Sequence, residues 1–84
     1  MYEETSKVTE KTLDIKRASD SLREELEATD LYNQRADATS NEDLKKVLLH
    51  NAKEEKEHSA MLIEWLRKND SEFEEELREY LFKS

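Results

Sequence analysis

Apolar residues in the first half of the chain recur at intervals of three and four, which is the spacing of one face of an α-helix. The pattern predicts a first helix from about Ser6 to Asp37. Residues 1–5 carry no such pattern and are expected to be disordered. The predicted buried stripe consists of Ile15, Ala18, Leu22, Leu26, Thr29, Tyr32 and Ala36.

A second helix is predicted from about Glu42 to Lys68, after a polar turn at residues 38–41. Ser40 and Asp43 resemble a capping box, in which a side-chain hydroxyl accepts a hydrogen bond from a free N–H group of the first turn. The stripe of this helix consists of Leu44, Val47, Leu48, Asn51, Met61, Leu62, Trp65 and Leu66.

The end of the second helix is marked by Arg67–Asn69, because two cations suit the negative end of the helix dipole and Asn suits a left-handed cap. Ser71–Glu74 is a second capping box and predicts a short third helix. Its apolar residues are Phe73, Leu77, Tyr80 and Leu81, and its solvated face is predicted to hold Glu72, Glu74, Glu75, Glu76 and Glu79.

Two long helices joined by four residues form an antiparallel hairpin, because so short a turn directs the second helix back along the first. The expected fold is all-α, with residues 1–84 as a single domain made of this hairpin and the short third helix. A hairpin buries one face of each helix, so we expect two hairpins to pair as a four-helix bundle. An antiparallel coiled coil without chemistry is the alternative.

The composition restricts the possible functions. Of the 84 residues 43% are charged, the net charge is −8, and Gly, Pro and Cys are absent, so disulfides and thiolate zinc sites are excluded. The acidic charge disfavours nucleic acid and favours cations. The longest apolar run, at residues 60–63, is too short to span a membrane, and residues 1–4 lack the features of a secretory signal.

Three ionisable residues interrupt the apolar stripes: Glu25 in the first helix, and Glu55 and His58 in the second. An isolated buried carboxylate is costly unless it is paired or binds a metal. Glu25 lies about 14 residues before the turn and Glu55 about 15 after it, so a rise of 1.5 Å per residue places both roughly 22 Å from the turn. The three side chains are therefore predicted to face each other at one level of the hairpin.

Glu55 and His58 form a Glu-x-x-His pair, whose i, i+3 spacing directs a carboxylate and an imidazole at one ion. Di-iron helical bundles combine two such pairs with one Glu from each of two other helices. One chain supplies half of this set, so a two-fold axis would complete it with four carboxylates and two imidazoles. The residues thus predict a metal site shared between two chains. Iron suits these ligands, and zinc or manganese stays an alternative.

A longer set of residues surrounds these three. It comprises Glu24–Ala28, Asp30, Tyr32, Gln34–Arg35, Asp37–Ala38, His50–Asn51, Glu54–His58, Glu64–Arg67 and Tyr80–Phe82. This set, from about Ser21 to Phe82, resembles the encapsulated ferritins. The resemblance implies a ferritin-like bundle with a ferroxidase site at a two-fold dimer interface, a ring-shaped decamer, and a location in the cytoplasm inside an encapsulin shell, where the mineral is stored.

The resemblance also implies roles for particular residues. Glu25, Glu55 and His58 would be the iron ligands from each chain, at two iron ions per dimer, with Glu55 bridging them. Glu24 and Glu27 would form a secondary site for calcium or another divalent cation, on the path by which iron approaches. From their position away from the stripe alone, these two are expected to be solvated.

The sequence departs from the family pattern in two places. Leu31 stands where family members carry an aromatic residue, often Trp, near the secondary site. The targeting peptide that many members carry in a C-terminal tail is not found up to Ser84, so we expect a longer chain, a fusion to the shell or another means of delivery. The two functions that compete with a ferroxidase are a non-catalytic oligomerisation module and a redox-silent zinc or manganese bundle.

Two further residues have open roles. Tyr32 lies close to the face of Glu25 and suits either a hydrogen bond to a ligand carboxylate or plain packing. His50 lies off the stripe and is expected to be a surface or capping residue.

Overall fold

The computed structural model describes residues 3–83, and over this range it contains helices and no strand. A 3₁₀ turn at Thr5–Lys7 precedes α1 (Glu10–Ala38), α2 (Glu42–Asn69) and α3 (Ser71–Tyr80). The predicted all-α class, with two long helices and a short third one, is confirmed. The first helix begins later than predicted because Thr9 caps it, its hydroxyl accepting a backbone N–H of the first turn. Of the segment predicted to be disordered, residues 1 and 2 lie outside the described range.

The helix caps differ from the predicted ones by one residue. Asn41 rather than Ser40 caps α2, and Asp70 rather than Ser71 caps α3, each through a side-chain oxygen that accepts backbone N–H groups. Asn, Asp and Ser are nearly equivalent as N-caps, so neighbouring candidates cannot be separated by residue type. Asn69 is also not a left-handed cap. It belongs to α2, and its side-chain amide donates to the backbone carbonyl of Trp65 at 2.8 Å.

The fully buried positions along α1 and α2, which we call the seam, mostly carry small side chains. Its buried residues are Ala18, Ala36, Ala52, Ser59 and Leu66. Small residues allow two helices to approach closely, at the lower end of the usual 8–10 Å between helix axes. Other residues of the predicted stripes are exposed in the single chain: 55% of Leu26 and 64% of Met61 are accessible to solvent, so contacts within the hairpin do not bury them.

The protein is a layer of helices rather than a closed core. Its Cα radius of gyration is 16.6 Å and its smallest extent is 17 Å. A compact domain of this length would have a radius of gyration of about 12 Å. The hairpin therefore leaves large apolar side chains exposed, among them Leu26, Val47 and Met61. None of the helices in this range is long and apolar enough to cross a membrane.

Ion pairs attach α3 to the end of α2. Arg67 lies between the two helices and donates to Glu64 at 2.9 Å and to Glu74 at 2.7 Å. Glu74 also pairs with Arg78 within α3. The hydrogen bonds from these two guanidinium groups hold the pKa of Glu74 below its ordinary value. Glu74 is thus half-buried and paired, which corrects the prediction of a solvated residue, whereas the four other acidic residues predicted on that face are exposed.

Candidate metal centre

The three residues that interrupt the stripes come together where α1 passes α2. Glu25 is on α1, and Glu55 and His58 are one turn apart on α2. One ligand atom from each lies within 4.8 Å of the other two. Within residues 3–83, no other group of three or more His, Cys, Asp or Glu side chains comes this close together. Nδ1 of His58 is 3.3 Å from Oε2 of Glu25 and 3.6 Å from Oε2 of Glu55. Counting residues from the turn therefore predicted correctly that Glu25 and Glu55 lie at the same level of the hairpin.

Within residues 3–83, no Lys or Arg balances the charges of this cluster. Among the described residues, the ion pairs of Glu25 and Glu55 are with His58, and neither carboxylate pairs with Lys or Arg. The side chains are only 26% and 21% exposed, so the two carboxylates are partly withdrawn from solvent. Carboxylates in such a place favour a bound cation, because a cation offsets their lost hydration.

The spacing of the ligand atoms fits a metal ion. Oxygen and nitrogen ligands lie about 2.0–2.2 Å from a transition-metal ion, so two ligands on opposite sides of it are about 4 Å apart. The three ligand atoms lie within 4.8 Å of one another, so small side-chain rotations would bring all three to bonding distance from one ion. Carboxylate oxygens with an imidazole nitrogen suit Fe²⁺, Mn²⁺ and Zn²⁺ alike.

The cluster is open on the side that faces away from the hairpin. His58 is 46% exposed, and three ligands leave coordination positions free on any ion that takes four to six. One chain therefore offers three ligands and leaves room for ligands from outside. Exposed apolar residues lie on the same face of α2. Val47 is three turns before His58, Trp65 is two turns after it, and they are 56% and 36% exposed.

The other residues proposed from the sequence lie outside the three-residue cluster. Glu24 and Glu27 are exposed, and in the described chain they do not gather with a third ligand. Tyr32 is two turns beyond Glu25, with the guanidinium of Arg35 5.9 Å from its ring centroid. Leu31 is 39% exposed. The secondary site and the hydrogen-bonding role of Tyr32 therefore stay predictions.

His50 lies on the surface, as expected, with 68% of its side chain exposed. Its Nε2 atom is 3.3 Å from Oε1 of Glu54, one turn further along α2. This pair does not reach the three-residue cluster.

Two residues near the cluster have contacts that the sequence reasoning missed. The hydroxyl of Thr29 donates to the backbone carbonyl of Glu25 at 2.9 Å, and the hydroxyl of Ser59 donates to that of Glu55 at 3.0 Å. The apolar periodicity of the sequence places Thr29 only in the stripe and gives Ser59 no role. The available signal was a Ser or Thr four residues after each ligand carboxylate, a spacing that allows this hydrogen bond in a helix.

The hairpin and its carboxylate–imidazole cluster define a ferritin-like helical protein. Residues 1–84 match the family model described as EncFtn-like. The chain belongs to this family, as the resemblance of its sequence predicted. It is 53% identical over 73 residues to the encapsulated ferritin-like protein of Rhodospirillum rubrum, a match that covers 87% of this chain. It is 49% identical over 81 residues, or 96% of this chain, to the ferritin-like protein of Thermotoga maritima.

Two further relatives extend the comparison. The encapsulin nanocompartment cargo protein EncC of Myxococcus xanthus is 46% identical over 48 residues, which cover 57% of this chain and 37% of that protein. The crystal structure of protein ne0167 from Nitrosomonas europaea superposes with a TM-score of 0.94 at 52% identity, covering 100% of this chain and 92% of that one. The chain spans 52% of the Rhodospirillum rubrum relative and 71% of the Thermotoga maritima one. The ferritin-like family and the encapsulin cargo relative fit an iron-related role for this chain.

Proposed function

We propose that the chain is a ferroxidase subunit, two copies of which bind two Fe(II) ions between them and transfer their electrons to O₂. The ligands are Glu25, Glu55 and His58 from each copy. The observation that supports this most strongly is the half-site itself: two carboxylates and an imidazole from two helices lie within 4.8 Å of each other on an open face of the hairpin.

Two copies are needed because one chain has too few ligands for two iron ions. A two-fold axis beside the cluster doubles the set to four carboxylates and two imidazoles, the complement of a di-iron bundle. Such an interface brings the same surface together from both copies, so it also covers the exposed Val47 and Trp65 of each. Burying these side chains drives pairing and excludes water around the ligands.

The chemistry follows from the ligand types. Each Glu-x-x-His pair binds one ion, Glu25 completes the ligand set, and Glu55 bridges the two ions. Anionic oxygen ligands stabilise Fe(III) more than Fe(II), and so they favour oxidation of the bound substrate. Two ions held side by side each supply one electron to the same O₂ molecule. Binding through His58 uses the lone pair of one imidazole nitrogen.

The rest of the molecule supports delivery and storage. A net charge of −8 attracts Fe(II) toward the protein, and exposed Glu24 and Glu27 offer a secondary site for calcium or another divalent cation on the way. Apolar residues outside the dimer face provide further contacts for a larger assembly, which we propose is a ring-shaped decamer. The EncC relative is named as an encapsulin cargo protein. We extend this to the present chain and place it inside an encapsulin shell, where the oxidised iron is stored.

The test is aerobic addition of Fe(II), with ferric-oxo absorbance followed over time. Glu25→Ala, Glu55→Ala and His58→Ala should each lower the oxidation rate sharply while far-UV circular dichroism shows unchanged helicity. Glu75→Ala removes the same charge from an exposed position on α3 and should oxidise iron at the wild-type rate. Wild-type rates in all three ligand variants would contradict the proposal.

The same assay separates the competing functions. A redox-silent zinc or manganese bundle would bind Fe(II) anaerobically through these residues and then leave it unoxidised in air. A non-catalytic oligomerisation module would assemble without binding the metal at all. The absence of a Lys or Arg partner for Glu25 and Glu55 in the described chain argues against the module.

A further inference from the structure

Each carboxylate residue of the half-site is followed, one helical turn later, by a hydroxyl that binds its backbone. Thr29 donates to the carbonyl oxygen of Glu25 at 2.9 Å, and Ser59 donates to the carbonyl oxygen of Glu55 at 3.0 Å. Two different helices therefore carry the same local arrangement at the same functional position.

This arrangement is not general in the chain. Ser19 and Ser21 also lie inside α1 and are half-buried, yet neither donates to the carbonyl four residues earlier. Among residues 3–83, the hydroxyl-to-carbonyl hydrogen bonds of this kind are the two at the ligand carboxylates. The coincidence of both bonds with both carboxylate ligands is what requires an explanation.

A hydrogen bond of this kind often changes the local geometry of a helix. A helical carbonyl already accepts the N–H group four residues ahead, and a second donor tilts the carbonyl and bends the helix locally. A bend at a ligand residue would change the direction in which its side chain leaves the backbone. Both hydroxyls also lie near the seam, where Ser59 is 6% exposed and Thr29 is half-buried, so the surrounding packing holds each hydroxyl in its bonding position.

We propose that Thr29 and Ser59 are positioning residues for the metal site. Their hydroxyls hold the backbone of Glu25 and Glu55 at an angle that makes the two carboxylates converge on the ion with His58. Neither hydroxyl touches the metal. The inference rests on the metal site of the proposed function and adds to it a pair of residues that determine affinity and coordination geometry.

The variants Thr29→Val and Ser59→Ala remove the hydroxyls with little change of size. Thr29→Ser keeps the hydroxyl and serves as the conservative rescue, and Ser21→Ala removes a half-buried hydroxyl that makes no such bond. Each protein is titrated with Co²⁺, a redox-silent probe whose d–d absorption reports coordination geometry. Thermal unfolding of the metal-free proteins is followed by circular dichroism in parallel.

We expect Thr29→Val and Ser59→Ala each to weaken Co²⁺ binding by about tenfold, the lower end of the effect of residues that orient metal ligands. The d–d spectrum should change with them, and the double variant should bind more weakly still. The metal-free Tm should stay at or slightly above the wild-type value, because this type of hydrogen bond slightly destabilises a helix. Thr29→Ser and Ser21→Ala should behave as wild type.

Wild-type affinity and spectrum in both hydroxyl-free variants would overturn the positioning role and leave the proposed function intact. An equal loss in Ser21→Ala, or a loss that parallels a lowered Tm, would also overturn it, because the hydroxyls would then act only through general stability. Absence of Co²⁺ binding by the wild-type protein would overturn the positioning role and the metal site together.

Discussion

Enlarging the seam beside the metal site is expected to open the site. Ala52 is 2% exposed and lies one turn before Glu55 in α2. Ala52→Leu adds an isopropyl group where the seam has no room for it. Overpacking of this kind costs about 1–3 kcal/mol. For a chain of this size the cost corresponds to a Tm lower by roughly 4–24 °C.

The substitution should affect contacts between α1 and α2 more than contacts within α2. Axis separations of packed helices range over about 8–10 Å with side-chain size, so a Leu in an Ala seam moves the helices apart by roughly 1–2 Å. The 3.3 Å contact between Glu25 and His58 joins α1 to α2 and would be broken. The 3.6 Å contact between Glu55 and His58 lies within α2 and would be kept. The variant should therefore lose the ligand from α1 and bind Co²⁺ more weakly.

The assay combines thermal unfolding of the metal-free protein with a Co²⁺ titration. Ala60→Leu makes the same change at an exposed position of α2 and should leave both the Tm and the affinity close to wild type. A folded Ala52→Leu protein with wild-type Co²⁺ affinity would refute the reasoning, because the spacing of the two helices would then not determine the site.

Other expected outcomes concern stability and assembly. Leu66 is 2% exposed, so Leu66→Ala should cost about 2–5 kcal/mol of unfolding free energy in a denaturant titration, whereas Met61→Ala at a 64% exposed position should cost far less. Because the pKa of Glu74 is lowered in the folded protein, its ion pairs stabilise α3 at neutral pH, and this contribution is lost as the pH falls below the ordinary value of 4.5. NMR signals of α3 should change over this acidic range. The change should be smaller in Arg67→Met, because the variant lacks the guanidinium that pairs with Glu74 across the two helices. Fe(II) should shift sedimentation toward larger species, because metal binding to the assembled state stabilises it; identical distributions would indicate assembly by apolar burial alone.

The helices were predictable because the chain contains no residue that interrupts them. Without Gly or Pro, only the polar turn at residues 38–41 could separate α1 from α2. The caps were less predictable, because Asn41 and Asp70 stand beside serines of equal capping strength.

The buried face was only partly predictable. Periodicity identifies an apolar face but does not tell whether its residues contact the same chain or another copy. Leu26 and Met61 belong to the predicted stripes and yet are exposed in the single chain, whereas alanines are buried within the hairpin.

The convergence of the half-site residues was predictable because a short turn fixes the register of a hairpin. Counting residues from the turn was enough to place Glu25 opposite Glu55 and His58. The spacing of Thr29 and Ser59 from the ligands allows their hydrogen bonds but does not establish them, since Ser and Thr occur throughout the helices and local packing decides which hydroxyls bond.

The most direct test of a shared iron site is a crystal structure of the protein grown anaerobically with Fe(II), with the iron located by anomalous scattering. We predict two iron ions beside a two-fold axis, with Glu25, Glu55 and His58 of both copies as their ligands. Complete ligation of iron within one chain, or iron bound far from any two-fold axis, would contradict the account.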